Sequence, residues 1–208
     1  CFSRPDIFST QLRAALRAST AGTLWLMLPM VGSLDDIRRA KEILHAVQAD
    51  LDYKGIPYSK EIKLGIMVEI PSIALLAEEV AKEVDFASIG SNDLCQYLMA
   101  ADRMNPEVAP YCQSMNPAMF RLIRSVVHAF SAHGKSISLC GELGGNPQAA
   151  AVLVGLGIRK LSMNIDSLPE VKKMICDISL MQADKIAQHV CELCTEHEVT
   201  QYLKSVFP

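Results

Sequence analysis

Leu64-Gly65-Ile66-Met67-Val68-Glu69-Ile70-Pro71-Ser72 is an apolar run that ends on a carboxylate and is stopped by a proline. The spacing predicts a strand over Leu64 to Ile70 and a helix that starts at Pro71, where the missing N–H of proline costs nothing. Glu69 then stands at the carboxyl end of a strand. In parallel β/α folds ligands gather at those ends, so its position marks it as a site candidate, although a surface or capping glutamate is an alternative.

The same alternation extends in both directions. Toward the amino terminus, Ile7 to Ser19 has helical spacing, Leu24 to Met30 is a short apolar run halted by Pro29 to Gly32, and Ser33 is placed to cap a helix carrying Ile37, Ile43, Leu44 and Val47. Toward the carboxyl terminus, strands are expected at Phe86 to Gly90, Ser136 to Cys140 and Lys160 to Met163. Helices are expected near Leu94 to Ala101, Ala118 to His133, from Pro147, over Leu168 to Cys176, and without interruption from Met181 to Lys204. The strands are almost continuously apolar, which predicts burial on both faces. Alternating strands and helices imply parallel pairing through right-handed crossovers, in either a β/α barrel or an open doubly wound sheet. About five strands are expected, fewer than the eight of a closed barrel. The proline-rich stretch from Met104 to Pro117 reads as a long functional loop.

The 208 residues, half of them hydrophobic, suffice for one domain over 1–208. Lys plus Arg number 20 against 23 Asp plus Glu, a balance that points neither to nucleic acid nor to an anionic membrane. No apolar run is long enough for a membrane span. Seven scattered cysteines are expected to be free thiols in a reducing compartment, hence a cytoplasmic location.

Three more groups could carry chemistry. Asp93, in Ser88-Ile89-Gly90-Ser91-Asn92-Asp93-Leu94, is either an N-cap or, with Glu69, one of two hard oxygen ligands of the kind Mg²⁺ prefers. Cys140, in Ser138-Leu139-Cys140-Gly141-Glu142-Leu143-Gly144-Gly145, is either an inert cysteine or a proton donor at a third strand end. Arg103, in Ala101-Asp102-Arg103-Met104-Asn105, either pairs with Asp102 or binds a phosphate or carboxylate with its guanidinium fork. His189, Cys191, Cys194 and His197 lie close in sequence, but a continuous helix there would splay them, so no zinc site is expected.

In order, VEIPS at Val68 to Ser72, SIGSNDLCQY at Ser88 to Tyr97, ADRMN at Ala101 to Asn105 and CGELGG at Cys140 to Gly145 resemble the successive signatures of the phosphoenolpyruvate-utilising enzymes. LMLPM near Leu26 to Met30 and the late LSMN segment extend the likeness over nearly the whole chain. Gln96-Tyr97 and the Asp-Arg-x-Asn run make it most similar to the C-terminal phosphoenolpyruvate-binding domain of enzyme I of the sugar phosphotransferase system. The resemblance implies a partial (βα)₈ TIM barrel lacking its early strands, homodimerisation, and Mg²⁺-dependent transfer of phosphate from phosphoenolpyruvate to a histidine on a separate N-terminal domain, with release of pyruvate. That domain would pass the phosphate to a small histidine-containing phosphocarrier protein. Residue by residue, it implies that Glu69 and Asp93 bind metal, Asn92, Asp93 and Arg103 bind substrate, and Cys140 donates the proton. No segment matches the phosphohistidine motif, and two further substrate arginines are expected on the early strands. Trp25, Cys95 and Asn146 stand where relatives often carry a basic residue, Thr and Asp. The rival readings are a dimerising or regulatory module and a Mg²⁺-dependent pyruvate-enolate lyase or aldolase; a thiol retained at Cys140 argues against both.

Overall fold

The structure, a computed structural model, describes residues 2–207. The described residues form one sheet of β1 (Trp25–Leu28), β2 (Lys63–Val68), β3 (Phe86–Gly90), β4 (Ser136–Cys140) and β5 (Leu161–Ser162). The strands lie side by side in the order β1-β2-β3-β4-β5, and every adjacent pair is parallel. Spatial order equals chain order, so all crossovers advance in one direction, and crossovers of constant hand place their helices on one side. A doubly wound sheet reverses direction at a switch point. Among the described residues there is no reversal, so the sheet they form is wound one way only.

The register sorts the side chains accordingly. Leu28, Ile66, Ala87 and Ile137 form one row, and Val68, Ile89, Leu139 and Leu161 the next. Six of the eight are buried, in one core with Ile73, Val80, Phe120, Ile123, Phe130 and Leu153 from the helices, and Leu28 and Leu161 pack against it half-buried. The alternate positions, which include Trp25, Met27, Phe86, Ser88, Ser138 and Cys140, point to the opposite face. Burial on both faces therefore holds for β3, all of whose residues are buried, but not for β1 or β4. Trp25 and Met27 are each 41% exposed, because the helical layer covers only the other side.

The helices are α1 (Pro5–Ala18), α2 (Leu34–Tyr53), α3 (Pro71–Leu75), α4 (Ala77–Glu83), α5 (Ser91–Leu98), α6 (Pro117–Ala132), α7 (Glu142–Gly145), α8 (Pro147–Gly155), α9 (Leu168–Asp177), α10 (Leu180–Glu192) and α11 (Glu196–Val206). Ser33 caps α2 as expected: its Oγ accepts the Asp36 N–H, and the Asp36 carboxylate accepts the Ser33 N–H at 3.0 Å. Leu12 and Leu16 of α1 meet Leu44, Val47 and Leu51 of α2 in a second, smaller apolar cluster.

The uninterrupted helix expected over Met181 to Lys204 is instead two. Leu193 is extended, and Thr195 opens α11 with a capping box in which Glu198 accepts the N–H groups of Cys194 and Thr195 at 2.8 and 2.9 Å. Arg121 donates to the carbonyls of Cys191 and Leu193 at 2.7 and 2.8 Å, satisfying acceptors that the end of α10 leaves open. Thr195 and Glu198 outweigh the helical periodicity. No helix among the described residues is long and apolar enough to cross a membrane.

Candidate functional site

The polar candidates meet at the carboxyl ends of β2, β3 and β4. Glu69 follows β2 directly and is 5% exposed. Its Oε1 accepts the Met30 N–H at 2.6 Å, and Met30, just beyond β1, holds a left-handed φ of 53° as it does so. The other oxygen lies over the end of β3: a Cβ on Gly90 would sit 2.9 Å from Oε2 and 3.1 Å from the Glu69 Cβ. Glycine at that point leaves the space the carboxylate fills.

α5 begins at Ser91, with Gly90 as its cap residue, so Asp93 lies inside the first turn and is not the N-cap. It pairs instead with Arg103, Oδ1 to Nη1 at 3.2 Å, both side chains more than a third exposed. Asp102, the alternative partner, accepts the Met104 N–H at 2.9 Å. The Arg103 N–H donates to Gln96 Oε1 at 3.1 Å, which ties the base of the loop back to α5.

Asn92 Oδ1 accepts the Glu142 N–H at 3.0 Å, and Ser91 Oγ donates to the Cys140 carbonyl at 2.8 Å. These two bonds strap the start of α5 to the turn after β4. Gly141, at φ 109°, permits the approach, since a Cβ there would collide with Ser91 Oγ and sit 2.8 Å from Asn92 Oδ1. With its oxygen so occupied, the Asn92 amide group keeps its N–H donors for a ligand. Cys140, the last residue of β4, is partly exposed. Its sulfur accepts from Ser88 Oγ at 3.8 Å and lies 3.6 Å from both Met67 Sδ and the Ile89 carbonyl. A cleft of about 540 Å³ opens beside this turn, lined by Asn92, Glu142, Asn146, Asn164 and Ser167 among others.

Among the described residues no three His, Cys, Asp or Glu side chains are grouped to hold a metal ion. The donor set of Glu69 and Asp93 is nonetheless the kind that suits Mg²⁺, which commonly takes one or two carboxylates and completes its shell with water and substrate phosphate. Sequence reasoning brought Glu69, Asn92, Asp93, Arg103 and Cys140 to this region and missed Met30, Ser88 and Ser91. Ser88 and Ser91 lie on either side of a strand-ending glycine, a usable signal; the Met30 N–H gives none, because every residue but proline has one.

Two carboxylates, an amide and a thiol at or just beyond consecutive strand ends, with a guanidinium from the loop after α5 paired to Asp93, define a parallel β/α domain with its polar site at the carboxyl edge of the sheet. The chain belongs to the phosphoenolpyruvate-utilising enzyme family, whose model "PEP-utilising enzyme, PEP-binding domain" matches residues 1–180. It is 42% identical over 207 residues to the phosphoenolpyruvate-protein phosphotransferase of Priestia megaterium and 44% identical over 207 residues to that of Bacillus sp. (strain S). The alignments take in all of this chain and 36% of each relative, so the chain spans little more than a third of their length. A citrate lyase from Burkholderia xenovorans LB400 shares the fold at 17% identity and a TM-score of 0.58, over 95% of this chain and 66% of that one.

Proposed function

We propose that this chain is the phosphoenolpyruvate-binding part of a phosphoenolpyruvate-protein phosphotransferase, enzyme I of the phosphotransferase system. The observation that carries the reading is the placing of Glu69, Asn92, Asp93 and Cys140 at or just beyond three adjacent strand ends, with Arg103 paired to Asp93, in a chain of this family. In this reading residues 1–208 are one domain, a partial (βα)₈ barrel whose one-way winding and uncovered sheet face are those of a barrel wall. It works in the cytoplasm within a homodimer, alongside an N-terminal phosphohistidine domain and a small histidine-containing phosphocarrier protein.

Arg103 and the Asn92 amide bind the phosphate, the guanidinium by charge and by its paired N–H groups. Asp93 pairs with Arg103 and so orients its guanidinium, and Glu69 and Asp93 are the residues that would hold Mg²⁺. When bound, Mg²⁺ supplies positive charge against the phosphate and the oxygen on which negative charge develops. The phosphorus–oxygen bond breaks as the phosphoryl group passes to a histidine nitrogen of the N-terminal domain, leaving the enolate of pyruvate. Cys140 gives its proton to the enolate methylene carbon, completing pyruvate, and the thiolate is reprotonated by water.

Calorimetric titration of the chain with phosphoenolpyruvate, with and without Mg²⁺, tests the site. Binding is expected to require Mg²⁺ and to vanish in the Glu69→Ala/Asp93→Ala double variant. Equal binding by a folded double variant would remove both carboxylates from the site.

A further inference from the structure

Two other cysteines lie together beside the Arg103 loop. Cys95, in the second turn of α5, is 1% exposed, whereas Cys112, beyond the loop, is partly exposed. The Cys112 thiol donates to the Cys95 sulfur across 3.4 Å. A disulfide needs about 2.05 Å. The remaining approach, somewhat over an ångström, falls within what side-chain rotation and movement of a surface loop supply. The segment between them contains Arg103, whose guanidinium reaches back to Asp93 at the start of the same helix.

We propose that Cys95 and Cys112 are an oxidative modification site, closing as a reversible disulfide that fastens the Arg103 loop to α5. The oxidant is a small disulfide such as oxidised glutathione. The Cys112 thiolate, the one solvent reaches, attacks a sulfur of that disulfide; the sulfur–sulfur bond breaks and one glutathione thiolate leaves. Cys95 then loses its proton to water and attacks the Cys112 sulfur of the mixed disulfide, expelling the second glutathione. The protein pair is oxidised by two electrons and the reagent is reduced to two thiols. Cys95 is buried and Cys112 is not, so the reagent reaches Cys112 first and Cys95 serves as the resolving thiol. The ring formed spans residues 95–112 and shortens the excursion open to Arg103.

The test is peptide mapping of the chain equilibrated at a series of reduced-to-oxidised glutathione ratios, acid-quenched, alkylated after denaturation and cut with trypsin. Cleavage after Lys82, Arg103 and Arg121 yields peptides 83–103 and 104–121, each with one cysteine. The expected product is these two peptides joined, lighter than their sum by two hydrogens, rising in yield with the oxidised fraction and lost on adding dithiothreitol. In Cys112→Ser the peptide 83–103 should be recovered alkylated at every ratio. Recovery of both peptides alkylated, or each carrying glutathione, at the most oxidising ratio from a protein with unchanged circular dichroism would overturn the proposal. Neither result bears on phosphoenolpyruvate binding.

Discussion

The two ends of the sheet solve one packing problem with the same residue and put the result to different uses. At the amino ends, Phe86 folds over Gly65 of the neighbouring strand, and its ring meets Trp25 at 4.8 Å between centroids. Lys63 lies over the Trp25 ring at 4.6 Å. At the carboxyl ends, Glu69 folds over Gly90 of the neighbouring strand and is fixed by the Met30 N–H. A missing Cβ admits an aromatic ring at one end and a carboxylate at the other. The first arrangement contributes packing, the second places a charge. Conserving space with glycine is thus neutral as to role, and the side chain that enters the space decides whether stability or chemistry depends on it.

Substitutions at the two ends should separate these roles. The largest effect is expected from Cys140→Ala in a full-length phosphotransferase containing this domain: pyruvate formation should fall by about 10²–10⁴, the usual worth of a positioned general acid, while calorimetric phosphoenolpyruvate binding persists. Unchanged turnover would remove Cys140 from the proton transfer. Next is Gly65→Ala, whose Cβ would lie 2.6 Å from both the Phe86 ring and the Phe86 carbonyl oxygen. Because backbone cannot step aside as a side chain does, urea denaturation should show a loss of about 1–3 kcal/mol.

At the other end, the Cβ of Gly90→Ala meets only side-chain atoms, the closest at 2.9 Å. Here the Glu69 carboxylate is expected to move, weakening Mg²⁺-dependent binding about tenfold, or ~1.4 kcal/mol, with a smaller change in urea stability than Gly65→Ala. A stability loss as large as that of Gly65→Ala would erase the contrast between the ends. The smallest effect is expected from Lys63→Met, which keeps the alkyl stem over Trp25 and removes the ammonium. The loss at this exposed cation–π contact should be about 0.5 kcal/mol by denaturation.

Much of this was legible in the sequence. β3 and β4 lie where their apolar runs place them, because a short apolar run bounded by glycine or charge has little choice in a parallel sheet. Ser33 marked the start of α2, and the strand-end rule led directly to Glu69 and Cys140. Periodicity did not settle whether the sheet was wound one way or two, since that depends on which strands become neighbours. It also hid the uncovered face, where Trp25 and Met27 look as apolar as core residues. Asp93 was ambiguous for a local reason: a carboxylate near a helix start serves as cap or as first-turn partner, and only the position of Ser91 distinguishes them. The Asp93–Arg103 and Cys95–Cys112 pairs depend on the path of a loop, which no spacing rule supplies.

The agreement between chain order and strand order also bears on how the sheet is made. Among the described residues no strand has to be threaded between two that are already paired, and each of β2 to β5 docks on the edge left by its immediate predecessor. As a ribosome extends the chain at about 5–20 residues per second, the sheet can widen from β1 toward β5 in step with synthesis. A pause in translation would leave a narrower sheet with the same pairing, ready to accept the next strand.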